Sequence, residues 1–73
     1  MPHPFSQMFE KALRKSTAEE NFVLEEAEAL RRKGYSVREI YDVLAKLKQE
    51  LVMDRDVEVV GEALEEFGRY LAE

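Results

Sequence analysis

The sequence predicts an all-α fold, a compact up-down bundle of four short helices in a single domain. Apolar residues recur every three or four positions along most of the chain, which is the spacing of one face of a helix. Helix-capping residues and glycine interrupt this spacing at short connections. With 73 residues, the chain has room for one domain at most.

Helix one is predicted over residues 5–15, close to the start of the chain. Pro4 suits the first turn of a helix, because proline has no N–H to satisfy there. Residues 1–4 are expected to fray. The apolar stripe along this helix is short, so the helix must pack on the others to be stable. Its apolar members are Phe5, Met8, Phe9, Ala12 and Leu13.

Helix two is predicted over residues 18–33. Thr17 and Glu20 match a capping box, in which each side chain accepts a hydrogen bond from the other residue's backbone N–H, and this pattern predicts the start. Ser16 and Glu19 match the same pattern one residue earlier. Gly34 predicts the end, because glycine readily adopts the left-handed conformation that follows many helices. The expected buried face consists of Val23, Leu24, Ala27 and Leu30.

Helix three is predicted over residues 37–52, after a second capping box formed by Ser36 and Glu39. Strong helix formers continue well past Leu44, so we expect the helix to run on without a turn. Its apolar positions alternate between spacings of three and four residues, as interlocking helices require. They are Val37, Ile40, Leu44, Leu47 and Leu51.

Helix four is predicted over residues 56–72, with Asp54 or Asp56 as its N-cap. The spacing of helix three returns in Val57, Val60, Leu64, Phe67 and Leu71. Short connections favour antiparallel neighbours. Helices two, three and four should therefore form an up-down arrangement, with helix one closing one side.

The composition excludes several kinds of site. There are no cysteines, and the one histidine, His3, lies in the segment expected to fray, so we expect neither disulfides nor a metal site. The chain has no glycine-rich phosphate loop, and most of its few hydroxyl side chains fall at helix starts. We therefore expect no catalytic, cofactor-binding or metal-binding residues, and no enzymatic activity.

Charge and hydropathy bound the possible partners. No apolar run approaches the roughly 20 residues that a membrane span needs, and the N-terminus lacks the pattern of a secretion signal. We therefore expect a cytoplasmic protein that does not bind membranes. The net charge is −5, and residues 54–73 alone sum to −5, which disfavours contact between helix four and a polyanion.

One motif suggests an alternative function, a nucleic-acid-associated regulator. The turn at Gly34 resembles the opening of a helix-turn-helix, through Leu30, Gly34, Ser36, Glu39, Ile40 and Leu44. A candidate basic patch surrounds the same turn and consists of Arg31, Arg32, Lys33 and Arg38. A second basic cluster, Lys11, Arg14 and Lys15, would enlarge the patch if it lay nearby. However, the helix that would enter the major groove is acidic, so nucleic acid is the disfavoured partner.

The leading hypothesis is a non-enzymatic interaction or regulatory module, most readily a homodimer. Chains this short seldom bury enough apolar surface alone. Gly61 and Gly68 lie seven residues apart on one side of helix four, where each costs about 1 kcal/mol relative to alanine, and a second helix could approach closely there. Alternatively, a helix near the chain end simply tolerates them. The candidate partner face is Tyr41, Gly61, Gly68, Tyr70 and Ala72.

Overall fold

A computed structural model describes residues 4–17 and 19–72 of the chain. These residues form four helices, α1 Pro4–Lys15, α2 Phe22–Arg32, α3 Val37–Glu50 and α4 Asp54–Ala72, and the described part contains no strand. The predicted all-α bundle of four short helices is confirmed. Of the residues expected to fray, 1–3 lie outside the described part, and Pro4 already begins α1.

The helices alternate in direction. Tyr41, early in α3, packs against Gly68, late in α4, so these two helices are antiparallel. Asn21, just before α2, bonds to the first half of α4, whereas Glu28 bonds to Tyr70 near the end of α4. α2 and α4 are therefore parallel, as an up-down bundle requires.

The order of the helices around the bundle is α1, α2, α4, α3 and differs from their order in the chain. α3 packs most extensively on α4, and α1 on α2, whereas the pairs α2–α3 and α1–α4 touch least and lie diagonally. α2 and α3 are therefore diagonal in the bundle although they follow one another in the chain. α4 is the longest helix and packs on both of them.

Most of the predicted apolar stripes meet in one core. Met8, Leu24, Val37 and Leu51 are half-buried at its edges. The fully enclosed side chains come from all four helices, so no helix can be removed without exposing part of the core. The buried residues are Phe5, Phe9, Ala12, Leu13, Val23, Ala27, Leu30, Ile40, Val43, Leu44, Leu47, Val60, Ala63 and Phe67.

In α4, the predicted stripe is only partly covered. Val60 and Phe67 are fully buried, whereas Val57 and Leu64 are half-buried and Leu71 is 40% exposed. These last three residues follow one another at seven-residue intervals, so they lie along one flank of the helix. The seam that the sequence predicts is thus wider than the part of it that the chain itself buries.

α2 begins four residues later than predicted, at Phe22. The Thr17 hydroxyl does accept a hydrogen bond from the Glu20 N–H at 3.1 Å, as a capping box requires. The Thr17 N–H, however, donates to the Glu20 carbonyl at 2.9 Å, which closes a turn and not a helix. The actual cap is Asn21, whose side chain accepts from the Leu24 N–H at 3.0 Å.

The other predicted helix ends shift less. α4 begins at Asp54, so Asp54 and Asp56 lie in its first turn, where the helix dipole favours acidic side chains, and neither is the N-cap. α2 and α3 end one and two residues before the predicted positions, and α3 runs without interruption. The turn between them is confirmed, since Gly34 has φ 103° and the Ser36 hydroxyl accepts from the Glu39 N–H at 3.5 Å.

Candidate functional site

Most of the candidate partner face lies on the side of the α3–α4 pair that points away from the other two helices. Spacings of three, four or seven residues place a row of side chains from each helix on this side. Most of them are half-buried, although Lys48, Leu71 and Ala72 are exposed. We call this surface the outer face. It consists of Tyr41, Ala45 and Lys48 of α3, and Val57, Gly61, Leu64, Gly68, Leu71 and Ala72 of α4.

The two glycines of the outer face have different surroundings. A Cβ atom added at Gly68 would lie 3.8 Å from Cε2 of Tyr41, an ordinary van der Waals contact. At Gly61, no described atom lies within 4 Å of the corresponding position apart from the neighbouring residues and the backbone of the helix itself. Gly61 lines a surface groove of about 780 Å³ together with Lys48 and Val57. The space above Gly61 is therefore open to another molecule.

Charged side chains flank the outer face on both helices. Lys48 is exposed on α3, and Glu58 and Glu65 are exposed on α4. Glu65 pairs with Arg69, with 3.6 Å between the two groups. Lys48 and Glu58 form no ion pair within residues 4–17 and 19–72. The outer face thus presents uncompensated positive charge on α3 and uncompensated negative charge on α4.

Tyr70, which the sequence also suggests for the partner face, lies on the opposite flank of α4, against α2. Its hydroxyl donates to Glu28 Oε1 at 2.6 Å, and the Arg31 guanidinium lies 4.3 Å from its ring centroid. The hydrogen bond to the Glu28 carboxylate and, secondly, burial raise the pKa of Tyr70 above its ordinary value of 10.0. Tyr70 therefore joins α2 to α4 within the chain and does not belong to the outer face.

Three further hydrogen bonds join α4 to the connection between α1 and α2. The Asn21 amide donates to the Val59 carbonyl and to the Glu62 carboxylate, both at 2.9 Å. The Arg55 guanidinium donates to the carbonyl of Ser16. Sequence reasoning missed these contacts. An asparagine before a helix is a favoured cap, but the capping-box pattern upstream outweighed that signal, and nothing local indicates a bond to a distant helix.

The candidate basic patch is divided among different contacts. Arg31 pairs with a glutamate of its own helix at 3.3 Å and covers an aromatic ring. Arg38 pairs with Asp42 at 3.6 Å. Arg32 and Lys33 are exposed and have no ion pair among the described residues. Two of the four charges are thus already engaged within the chain.

The two basic clusters of the sequence lie at opposite ends of the bundle. Phe5, at the start of α1, packs edge-on against Tyr35, beside the Gly34 turn, with 4.9 Å between the ring centroids. The second basic cluster follows one to three turns later, towards the other end of α1. Because the second cluster extends from the middle of α1 towards the other end of the bundle, the two clusters form no continuous cationic patch.

The described residues contain no group of three or more His, Cys, Asp or Glu side chains that could hold a metal ion. None of the helices has the length and apolar character that crossing a bilayer requires. Val52 and Met53, in the α3–α4 turn, are 92% and 64% exposed. The sequence predicts this segment only as a connection, and its exposed apolar side chains were missed.

Comparison of the chain with protein-family models, with curated proteins and with solved structures found no match. No relative therefore assigns a role to the outer face or to the basic residues.

Proposed function

We propose that this chain is a non-enzymatic helical module that acts by binding another protein through the outer face. The observation that supports the proposal most strongly is the uncovered flank of α4. Val57 and Leu64 are half-buried there, and Leu71 is 40% exposed. Covering this flank would remove apolar surface from water, at roughly 25 cal/mol per Å². A second helix laid along α3 and α4 would do so.

Gly61 supplies a second argument for a partner. A glycine inside a helix is less favourable than alanine by about 1 kcal/mol, because its backbone loses more freedom on folding. At Gly61 a Cβ atom would meet no atom of the described residues, so the packing of this chain does not require glycine. The close approach of another chain is a physical reason for its presence.

The nucleic-acid hypothesis receives less support. Its two basic clusters lie at opposite ends of the bundle, and α4 has six acidic and two basic residues. Neutralising phosphates supplies most of the affinity of proteins for nucleic acid, and separated charges do this poorly. We expect no binding to mixed duplex DNA or RNA even at low salt, where such binding is strongest.

Two leucine variants test the proposal. Gly61→Leu fills the open space of the outer face without burying a clash, and Gln7→Leu adds the same side chain to an exposed position of α1. Each variant and the wild type would be immobilised and exposed to native cell extract, after thermal melts have shown that all three fold. We expect at least one protein to bind the wild type and Gln7→Leu, and to be lost with Gly61→Leu.

The opposite result is equally clear. If the wild type and both variants retain the same proteins, or if none retains any and the chain does not self-associate, the outer face is not a binding surface and the proposal is wrong.

A further inference from the structure

We infer that the partner that fits the outer face is a second copy of this chain, related to the first by a two-fold axis parallel to α3 and α4. The inference rests on the proposed function, since it names the occupant of the same surface. Its basis is the distribution of charge over the two helices that form the face.

The two halves of the outer face differ in charge. On α3, Lys48 is exposed and unpaired among the described residues. Beside the α4 half, Glu58 is exposed and likewise unpaired, and Glu65, seven residues later, is exposed and paired with Arg69. A surface with a positive half and a negative half is complementary to its own copy when each half meets the opposite half.

Two orientations of a two-fold axis in the plane of the outer face keep the helices of the two copies aligned. An axis perpendicular to the helices places α4 of one copy on α4 of the other, which brings the glutamates of both copies together. An axis parallel to the helices places α3 of each copy on α4 of the other. Like charges at an interface are unfavourable, so the second arrangement is selected.

The positions of Lys48 and Glu58 along the helix axes are consistent with a two-fold axis parallel to the helices. Lys48 lies two residues before the end of α3, and Glu58 and Gly61 lie in the first half of the antiparallel α4, so all three are at similar levels of the molecule. A two-fold axis parallel to the helices leaves that level unchanged. It therefore brings Lys48 of each copy to the level of Glu58 of the other, twice per dimer. Gly61, at this level, allows the two backbones to approach closely.

The size of the face predicts a weak dimer. α3 has 14 residues and is therefore about 21 Å long, and two packed helices are about 20 Å wide. The resulting footprint of roughly 400 Å² is below the roughly 800 Å² per partner of a standard interface. We therefore expect reversible association, visible at high protein concentration.

A charge exchange between two variants tests the inference by sedimentation equilibrium from about 10 µM to about 1 mM. Lys48→Glu and Glu58→Lys each turn two attractive contacts into repulsive ones, so each should weaken self-association about tenfold. An equimolar mixture of the two variants restores opposite charges at both contacts and should regain the dimer. Lys46→Glu, on the side of α3 that faces α1, is the matched control and should associate like the wild type.

The outcomes separate this inference from the proposed function. A chain that stays monomeric at about 1 mM, or a dimer that is indifferent to both reversals, overturns the two-fold arrangement. If Gly61→Leu still abolishes the capture of another protein, the proposed function stands with a different partner. If Gly61→Leu leaves that capture unchanged, or if no protein is captured, both the two-fold arrangement and the proposed function are wrong.

Discussion

The two flanks of α4 make different kinds of contact with the rest of the chain. The flank that faces α2 is closed by polar contacts with fixed partners, in which Asn21 bonds to Val59 and Glu62, and Tyr70 bonds to Glu28. The opposite flank, which borders α3 and carries the outer face, has no hydrogen bond between side chains of α3 and α4 within the described residues, and Val57, Leu64 and Leu71 stay partly exposed there. Both flanks lie on one helix and border one core.

This difference indicates which contacts belong to the chain itself. Hydrogen bonds between buried or half-buried groups are specific in geometry, and they fix α2 on α4 in one register. An apolar flank without such bonds can be covered by any surface of matching shape. The closed flank therefore serves the stability of the fold, and the open flank is the one available for a partner.

The largest effect should come from the core that the two flanks share. Phe67 is fully buried, so Phe67→Ala should lower the free energy of unfolding by about 3–5 kcal/mol. That is as much as a domain of this size usually has, so the variant should be largely unfolded. Leu64→Ala, on the half-covered flank, should lower it by only about 1 kcal/mol. Urea titration followed by circular dichroism compares the two, and equal losses would show that the flank is not open.

The next effect concerns the closed flank. Asn21→Ala removes the N-cap of α2 and both bonds to α4, so it should lower the free energy of unfolding by about 1–2 kcal/mol. Thr17→Ala is the control, because its hydroxyl bonds only to the exposed turn, and it should change stability by a few tenths of a kcal/mol. If the two variants unfold at the same urea concentration, Asn21 does not join the helices.

A smaller effect of opposite sign is expected on the open flank. Gly61→Ala should raise the free energy of unfolding by about 0.5–1 kcal/mol, because alanine favours the helix and its Cβ meets no atom. Gly34→Ala should lower stability instead, since φ there is 103°, a conformation that residues with a side chain rarely adopt. Thermal melts of both variants give the two signs, and a destabilised Gly61→Ala would mean that its space is filled.

The smallest effect is confined to alkaline pH. The hydrogen bond to Glu28 raises the pKa of Tyr70 in the folded chain, so the folded state holds the phenol proton more tightly than the unfolded state does. The stabilisation is therefore fully present below pH 10.0 and is lost as the pH rises through the folded-state pKa. The ultraviolet difference between the wild type and Tyr70→Phe should titrate above pH 10.0. Titration at or below that pH would contradict the bond.

Much of the fold could be predicted because it depends on local signals. The apolar spacing identifies four helices, and the Gly34 turn and the Ser36 cap are formed by residues close together in the chain. The start of α2 could not be predicted, because Asn21 is selected partly by its bonds to residues of α4 about 40 positions away. Local capping patterns contain no information about such a partner.

The candidate face was predicted in part for a related reason. Tyr41 and Tyr70 both lie at the edge of an apolar stripe, and the sequence treats them alike. The order of packing separates them, because α4 lies between α2 and α3 and directs one tyrosine to each flank. Which neighbour a helix edge meets depends on the whole bundle, so spacing within one helix cannot decide it.

The pairing of α1 with α2 and of α3 with α4 also bears on how the chain acquires its structure. Each of these extensive contacts joins segments that follow one another directly, so little loop-closure entropy is lost in forming them. Proteins dominated by such short-range contacts fold in microseconds to milliseconds. We expect the two helical hairpins to form early and independently, and the meeting of α2 with α4 to be the late step that commits the chain to its native state.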